Sequence, residues 1–480
     1  MKRMKNDNDG VDRISELPEC LIRQIMSYLS PAEVAQMLVV SKYWYSMRAT
    51  YRQLHYSQFV YHPPSILRFI VDLALRRVLR EKSDLQLFSI QLISKTAYPD
   101  LDNWLRTLTL KIGVKMLDLD IQVLCGLYTL PQLVFFSKTL RILKLRCCIL
   151  DQPLSLFRSL RKLDLDRCRI KLPIILNKGD CPLLEEFVFC CCTGFDVVIH
   201  IFDLPKLHTV KIAESGPINE LVVSCQSIQS FIIVDKFSAP LSVIDINGCH
   251  HLKLLHLQSC NMTDTQFHHL LSKLPLLEEL YVFHCYTLEK IKISNPRIKT
   301  LVVSLECRTS LKIVEIAATN LKIFFFLSYP FNESQCRIKV ANCCSGLETL
   351  VLCNYFATER AIQNLISKFS LLENLWLIGF PNLQRIRIPN PQLKRLHLVG
   401  CFKLKAVKVD GPNLCEFCYI GHESPKFSVS DMEASGGLRS EHSTSSFWRG
   451  RLRKMLYDIV GVSEERLALM ILKSVSCPPS

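Results

Sequence analysis

In the stretch LKRLHLVGCFKLKAVKV, Leu393, Leu396 and Leu398 are spaced L-x-x-L-x-L and are followed by Cys401. The last two leucines alternate with other side chains, as a short strand with one buried face requires. A weaker copy follows at Leu404, Val407 and Val409. The signature returns every 20 to 26 residues, with starts at Val114, Leu140, Leu160, Leu184, Leu207, Ile228, Leu252, Leu277, Ile298, Leu321, Leu347, Leu372, Leu393 and Leu414. Longer repeats leave room for a helix: Thr358 caps one carrying Ile362, Leu365, Ile366 and Phe369, and Thr263 one carrying Phe267, Leu270 and Leu271. Shorter repeats hold a second strand-like step, as at Leu288, Ile291 and Ile293 or Leu383, Ile386 and Ile388.

A period of this length is that of a leucine-rich-repeat solenoid. The expected fold class is α/β: a small N-terminal helical unit, then a solenoid with a parallel inner sheet and a mixed helical and extended outer side. A chain of 480 residues, 49% of them apolar, is too long for one compact core, and stacking small units resolves this.

Residues 11–55 stand apart as three short helices. Pro18 suits a first helical turn, and Leu21, Ile22, Ile25 and Leu29 form an apolar stripe. Ser30-Pro31-Ala32-Glu33 opens a second helix with Val34, Met37 and Leu38, and Ser41 a third with Trp44, Met47 and Tyr51. So small a core cannot bury all these side chains, so the unit is expected to dock on a partner. Pro63-Pro64 mark a break. Ile66, Phe69, Ile70 and Leu73 then predict a helix, Phe88, Ile90 and Leu92 a strand, and Leu101, Trp104, Leu105 and Leu108 another helix. Residues 56–110 thus read as a connecting segment and N-terminal cap, and 111–422 as the repeats. A Ser/Gly-rich stretch at 423–446 reads as a flexible loop. In 447–480, Phe447 to Ile459 predicts a basic amphipathic helix and Leu467, Leu469 and Ile471 a closing strand, together a C-terminal cap.

The net charge of +15 is spread through every repeat, so nucleic acid is not an expected partner. No run of some 18 apolar residues is present, and MKRMKNDNDG lacks the apolar core of a secretory leader, so no membrane partner is expected and the location reads as cytoplasmic or nuclear. Of the 22 cysteines, Cys148, Cys168, Cys192, Cys260, Cys285 and Cys401 fall three residues after a strand's last inward position. They read as small buried residues at the turn, not as disulfide or metal ligands. The phosphate-loop, dinucleotide, zinc-protease and nucleophile-elbow motifs are absent. The pairs His250-His251 and His268-His269 diverge, and Cys190-Cys191-Cys192 alternates across a strand, so none forms a metal site. No catalytic residue, metal or cofactor is expected.

The helical unit resembles the F-box: Leu17-Pro18, Leu21-Ile22, Ile25, Leu29, Ser30-Pro31-Ala32-Glu33 and Val40-Ser41-Lys42-Tyr43-Trp44, with Ser41 where Cys is common. The whole chain resembles a plant-type F-box/leucine-rich-repeat protein, its connecting segment containing Asp102-Asn103-Trp104. The resemblance implies that Leu17, Pro18, Leu21, Ile22, Ile25, Leu29, Val40 and Trp44 bind an Skp1-like adaptor, and through it a cullin and a RING subunit. The repeats would then select a protein for ubiquitination. Two other readings are open: a scaffold that binds the adaptor without directing ubiquitination, and a small-ligand or inositol-phosphate sensor using Lys144, Arg146 and Lys211. On the inner face, Lys144, Arg146, Asp164 and Asp166 give way to Tyr281, Phe283, Phe325, Leu327, Trp376, Ile378 and His397. Tyr281, Phe283, Phe325, Trp376 and His397 are expected to face solvent there and to bind the substrate protein.

Overall fold

The computed structural model describes residues 17–18, 21–22, 24–25, 52–60, 64–82, 85–93, 98–121, 126–154, 157–194, 197–215, 218–234, 244–246, 248–305, 309–328, 336–421, 425–429 and 439–441. The chain divides into two compact units, Met1–Val188 with Cys192–Phe195 and Phe189–Cys191 with Asp196–Ser480. The repeat tract expected as one domain is divided within the strand Glu186–Cys190.

In the first unit, β1 (Gln53–Ser57), β2 (Leu87–Leu92), β3 (Met116–Ile121), β4 (Ile142–Arg146) and β5 (Lys162–Asp166) run parallel in that order. The sheet begins two strands before the first repeat start read from sequence. β2 carries the expected Phe88, Ile90 and Leu92 inward, whereas Gln53–Ser57 has no apolar alternation to announce it. The helices α1 (Pro64–Glu81) and α2 (Tyr98–Thr107) lie between these strands in the chain. The indole N–H of Trp104 donates to Asp72 Oδ1 at 2.7 Å, and Arg68 lies 3.3 Å from Asp100, so the Asp102-Asn103-Trp104 segment ties the two helices. α1 is the helix that Ile66, Phe69, Ile70 and Leu73 predict. Leu67, Val71 and Leu75 are buried, whereas Ile66, Phe69 and Leu73 are exposed. The helix carries two apolar stripes, and spacing alone does not say which one meets the core.

The second unit continues the same plan through β6 (Thr209–Ala213), β7 (Ser230–Val234), β8 (Leu254–Gln258), β9 (Glu279–Phe283), β10 (Thr300–Ser304), β11 (Ile323–Leu327), β12 (Thr349–Cys353), β13 (Asn374–Ile378), β14 (Arg395–Val399), β15 (Glu416–Ile420) and β16 (Arg439–Glu441). Each is parallel to the next. Every repeat start from Val114 to Leu414 is buried, together with the two alternating strand residues that follow it.

Two backbone devices recur. Before each strand one carbonyl accepts two N–H groups from the next repeat: Lys253 O takes Glu278 N at 2.8 Å and Glu279 N at 2.9 Å, and Glu348 O takes Glu373 N and Asn374 N at 2.9 and 3.0 Å. After the strand, one residue turns into the left-handed region, as at Ser259, His284, Asn354, Gly379 and Gly400 (φ 56°, 53°, 49°, 71° and 69°). Its N–H reaches the last residue of the neighbouring strand, Gly379 to Val399 O at 2.7 Å.

The outer side is mixed, as expected. Short parallel strands form four small sets, among them Lys290–Ile293, Ile313–Ile316 and Arg337–Val340. Among the described residues, two repeats carry helices of eight or nine residues, α3 (Asp264–Ser272) and α4 (Glu359–Ile366), capped by Thr263 and Thr358, and the first repeat a single turn at Gln132–Phe135. The stretch 423–446, expected as a flexible loop, contains the strand Lys426–Val429 and β16. Phe427 stacks on Phe417 with ring centroids 4.2 Å apart, an apolar contact that draws it into the repeat plan. The helix and strand expected within 447–480 lie outside the described residues. Among the described residues no helix is long and apolar enough to cross a membrane.

The turn cysteines serve the stacking. Cys148, Cys168, Cys192, Cys260, Cys285 and Cys401 are all buried. The thiols of Cys168, Cys192 and Cys285 donate to the carbonyls of Leu145, Leu165 and Leu257 one repeat back, at 3.4, 3.5 and 3.9 Å. A small apolar residue with a weak donor fits a slot that is buried yet adjoins a free backbone acceptor. Burial pushes the thiols of Cys181 and Cys401 up to about 12.

Candidate functional site

Strand alternation gives each repeat two residues on the inner face, and the parallel register aligns them into rows. In the second unit Tyr281, Val302, Phe325, Val351, Trp376 and His397 stand opposite one another along β9 to β14. Two residues on, Phe283, Ser304, Leu327, Cys353, Ile378 and Val399 form a second row. The five residues singled out from sequence therefore share one face, with Phe283 on the second row and the other four on the first.

They do not face solvent. Tyr281 is 1% exposed, Phe283 5%, Phe325 0%, Trp376 6% and His397 3%. Most of them join Val302, Leu327, Val351, Cys353, Ile378 and Val399 in a continuous buried cluster, with Leu254, Ile323 and Ile420 half-buried at its margin. The expectation of an open aromatic surface is corrected: this face is an apolar layer in its own right. Sequence reasoning stopped at the large rings and missed Val302, Val351 and Val399, which complete the layer. The signal was present. Strands buried on both faces read as unbroken apolar runs, and LYVF, LVV, FFFL, LVLC and LWLI are such runs.

Polar groups within the layer are held by its rings. The His256 ring lies 5.7 Å from that of Tyr281 and meets the Phe283 ring edge-on at 4.8 Å. Burial pushes the His256 imidazole down to about 4; the Gln258 side chain opposes the shift, and Lys211 and His284 reinforce it. The Tyr281 hydroxyl donates to Glu279 Oε2 at 2.8 Å, and burial, with that carboxylate, raises its pKa.

The inner face of the first unit is polar, as expected. A side-chain chain crosses five strands: Ser57 Oγ donates to Gln91 Oε1 (2.8 Å), Gln91 Nε2 to Asp120 (2.9 Å), and Arg146 to both Asp120 (3.2 Å) and Asp166 (2.7 Å). Asp118 has its pKa raised by burial, against the pull of Lys144 and Arg146. Of the three cations considered for an anionic ligand, Arg146 is thus clamped between carboxylates, Lys144 stands beside Asp118, and Lys211 belongs to the other unit. The arrangement surrounds the two cations of this unit with acid, the reverse of what a phosphate needs.

Of the residues expected to bind the adaptor, Leu17, Pro18, Leu21, Ile22 and Ile25 are described; Leu29, Val40 and Trp44 lie outside the described residues. The Pro18 carbonyl accepts from Leu21 and Ile22 N–H at 2.9 and 3.2 Å, the start of a helix where Pro18 predicts one. Ile22 is fully buried, Leu17 and Ile25 are half-buried, and Leu21 and Pro18 are exposed.

Comparison with known proteins bears on both regions. The family described as "F-box domain" matches residues 14–47, and that described as "At1g61320/AtMIF1, LRR domain" matches 222–339 and 333–457. Similar proteins from Arabidopsis thaliana include F-box/FBD/LRR-repeat protein At2g04230, 28% identical over 55% of this chain and 60% of its own length. Putative F-box/FBD/LRR-repeat protein At4g03220 is 24% identical over 79% of this chain and 68% of its length. F-box/LRR-repeat protein At4g14096 is 33% identical over 37% of this chain and 39% of its length. The chain thus spans about two thirds or less of the length of these relatives.

Proposed function

From the premise that this chain is an F-box protein carrying leucine-rich repeats, we propose that it is the substrate-recognition subunit of an SCF-type ubiquitin ligase. The observation that carries the reading is the joining, in one chain, of an F-box match over 14–47 to a long stack of repeats. In this reading Leu17, Pro18, Leu21, Ile22, Ile25, Leu29, Val40 and Trp44 contact an Skp1-like adaptor, which brings a cullin and a RING subunit. The repeats hold the protein to be ubiquitinated. The chain supplies no catalytic group: it raises the effective concentration of a substrate lysine near the charged conjugating enzyme. The cytoplasm or nucleus is where those subunits would meet it.

The test is co-purification of the full chain with adaptor and cullin, followed by ubiquitin transfer to captured substrate. Ile25→Asp places a charge in an apolar contact at several kcal/mol and is expected to abolish adaptor binding while the repeats keep their cooperative unfolding. Adaptor recovery at wild-type level with Ile25→Asp overturns the reading.

A further inference from the structure

The outer strands Lys290–Ile293, Ile313–Ile316 and Arg337–Val340 stop at a repeat whose outer position is taken by α4 instead of a fourth strand. Arg337 N–H donates to Lys312 O and Ala341 N–H to Ile316 O, both at 2.8 Å. Alternate residues of a parallel strand bond to opposite sides, so Ile338 and Val340 turn their N–H and C=O groups away from that neighbour. Lys368 Nζ donates to Val340 O at 2.6 Å, and Ile338 N–H reaches the Tyr355 hydroxyl at 3.3 Å, long for such a bond. Among the described residues Ile338 O has no partner. Nor does α4 close the edge. It is tied to the other side, where Glu359 takes the N–H groups of Gln384 and Arg385 at 2.5 and 3.1 Å and so starts the next outer set.

A groove of about 930 Å3 is left between this edge and α4, at the upper end of the range that ligand sites span. Tyr355, Ile362, Phe380 and Leu383 line it with apolar surface, and the Phe356 ring, 45% exposed, adds to it. The edge strand registers the opening: Ile338 is half-buried, whereas Ile291 and Val314 on the same row are 1% and 0% exposed. Arg337 and Lys339 alternate with it and are exposed. Among the described residues Arg337 makes no ion pair, and Lys339 has only Glu315 at 3.5 Å, which Lys290 holds more closely at 2.8 Å. Glu359 is the one acid among the described walls, and two backbone N–H groups already occupy its carboxylate. The opening therefore has surplus positive charge.

We propose that this edge and groove bind an extended peptide segment of another protein, alternating acidic and apolar residues, as a fourth strand of the outer set. Main-chain pairing holds such a segment, and its alternate side chains select it. An apolar side chain beside Ile338 covers the groove's apolar floor, and acidic ones on either side meet Arg337 and Lys339. The groove belongs to the second unit alone, and neither adaptor nor cullin enters its test.

The test uses the full chain and a fluorescein-labelled heptapeptide of alternating glutamate and valine, blocked at both ends and followed by fluorescence anisotropy. Saturable binding is expected. The double variant R337E/K339E should weaken it at least tenfold and Phe356→Ala at least threefold, with melting temperatures unchanged because all three side chains are exposed. A heptapeptide with lysine for glutamate should bind at least tenfold more weakly. One with proline at its centre, which lacks the N–H for Ile338 O, should lose at least fivefold. Tyr355→Phe frees Ile338 N–H for the peptide and should bind it as tightly or tighter. No saturable binding up to millimolar peptide overturns the proposal. So does binding indifferent to R337E/K339E, because the peptide then sits elsewhere, or indifferent to proline, because it is then not paired as a strand. Self-association of the chain that Phe356→Ala abolishes would give the groove to a second copy, and overturns it too.

Discussion

The indole of Trp376 and the imidazole of His397 lie face to face, centroids 3.6 Å apart and planes within 9°, on neighbouring strands β13 and β14. Glu416 Oε1 on the next strand is 3.6 Å from His397 Nε2. The stack is close because the two residues stand directly opposite in a parallel register, where rings of neighbouring strands meet flat.

Trp376→Ala is therefore expected to cost about 3–5 kcal/mol of stability, the range for removing a large buried ring. Urea denaturation reads it as a lower midpoint at unchanged slope. Trp376→Phe, which keeps a ring against His397, should lose less than half as much. An unchanged midpoint for the alanine variant means the indole faces water.

Acid should weaken the second unit through His256. Its folded pKa, about 4, lies below the 6.5 of an exposed histidine, so the neutral ring is the form the fold holds. Between those values the unfolded chain binds more protons than the folded one. The contribution is full above pH 6.5 and is lost as pH falls towards 4, by up to about 3 kcal/mol. His256→Phe keeps the contact with Tyr281 and Phe283 and removes this component. Its melting temperature should fall less steeply than wild type from pH 6.5 to 4.5, and parallel curves would refute the assignment.

Much of this was legible in the amino-acid pattern, and the limits have physical causes. L-x-x-L-x-L spacing marks the strands because their inward residues must be apolar in every repeat, and Leu396 and Leu398 sit where that rule puts them. The reach of the rule ends at the other face: alternation says that Trp376 and His397 point away from the solenoid interior, not what lies beyond. Glu186–Cys190, where the chain divides into two units, reads as one repeat among many because the division changes no hydrophobic position. Ile66, Phe69 and Leu73 announce α1 but leave open, for a related reason, which of its two stripes of equal spacing is buried.

Gly379 and Gly400 occupy the same left-handed corner in consecutive repeats yet should respond differently to alanine. At Gly379 a Cβ would sit 1.9 Å from Asn354 Oδ1, and Asn354 is held by its own bond to Ser328 O at 2.8 Å. At Gly400 the nearest atom is 3.5 Å away, so only the backbone strain of about 1 kcal/mol applies. Gly379→Ala should cost at least about 2 kcal/mol more than Gly400→Ala in thermal unfolding, because it must also break a buried hydrogen bond. Equal losses would mean that Asn354 moves aside freely.

Cysteine reactivity should sort by position. Cys343 and Cys415 are exposed, whereas Cys168, Cys181 and Cys401 are buried, the last two with thiols pushed up to about 12. Brief alkylation of the native chain at pH 8 should label Cys343 and Cys415 and leave the others until denaturant is added, because only a thiolate reacts. Early labelling of Cys401 would contradict its place in the turn.

The carbonyl shared before the strand and, after β9, β12, β13 and β14, the left-handed residue fix the ends of the inner segment, which is five residues long in each of β9 through β15 while the return path varies. Chain length is thus quantised along one edge of the molecule and elastic along the other. A single residue added between Glu279 and His284 would have to break hydrogen bonds to the repeats on either side. One added in the short connection before α3, or in the turn after it, would shift only the outer path. Substitution and length change are thereby separated: inner positions are free to alter chemistry without altering geometry, and outer ones the reverse. A lineage of such chains can exchange the chemistry of its inner rows repeat by repeat without rebuilding the frame that presents them.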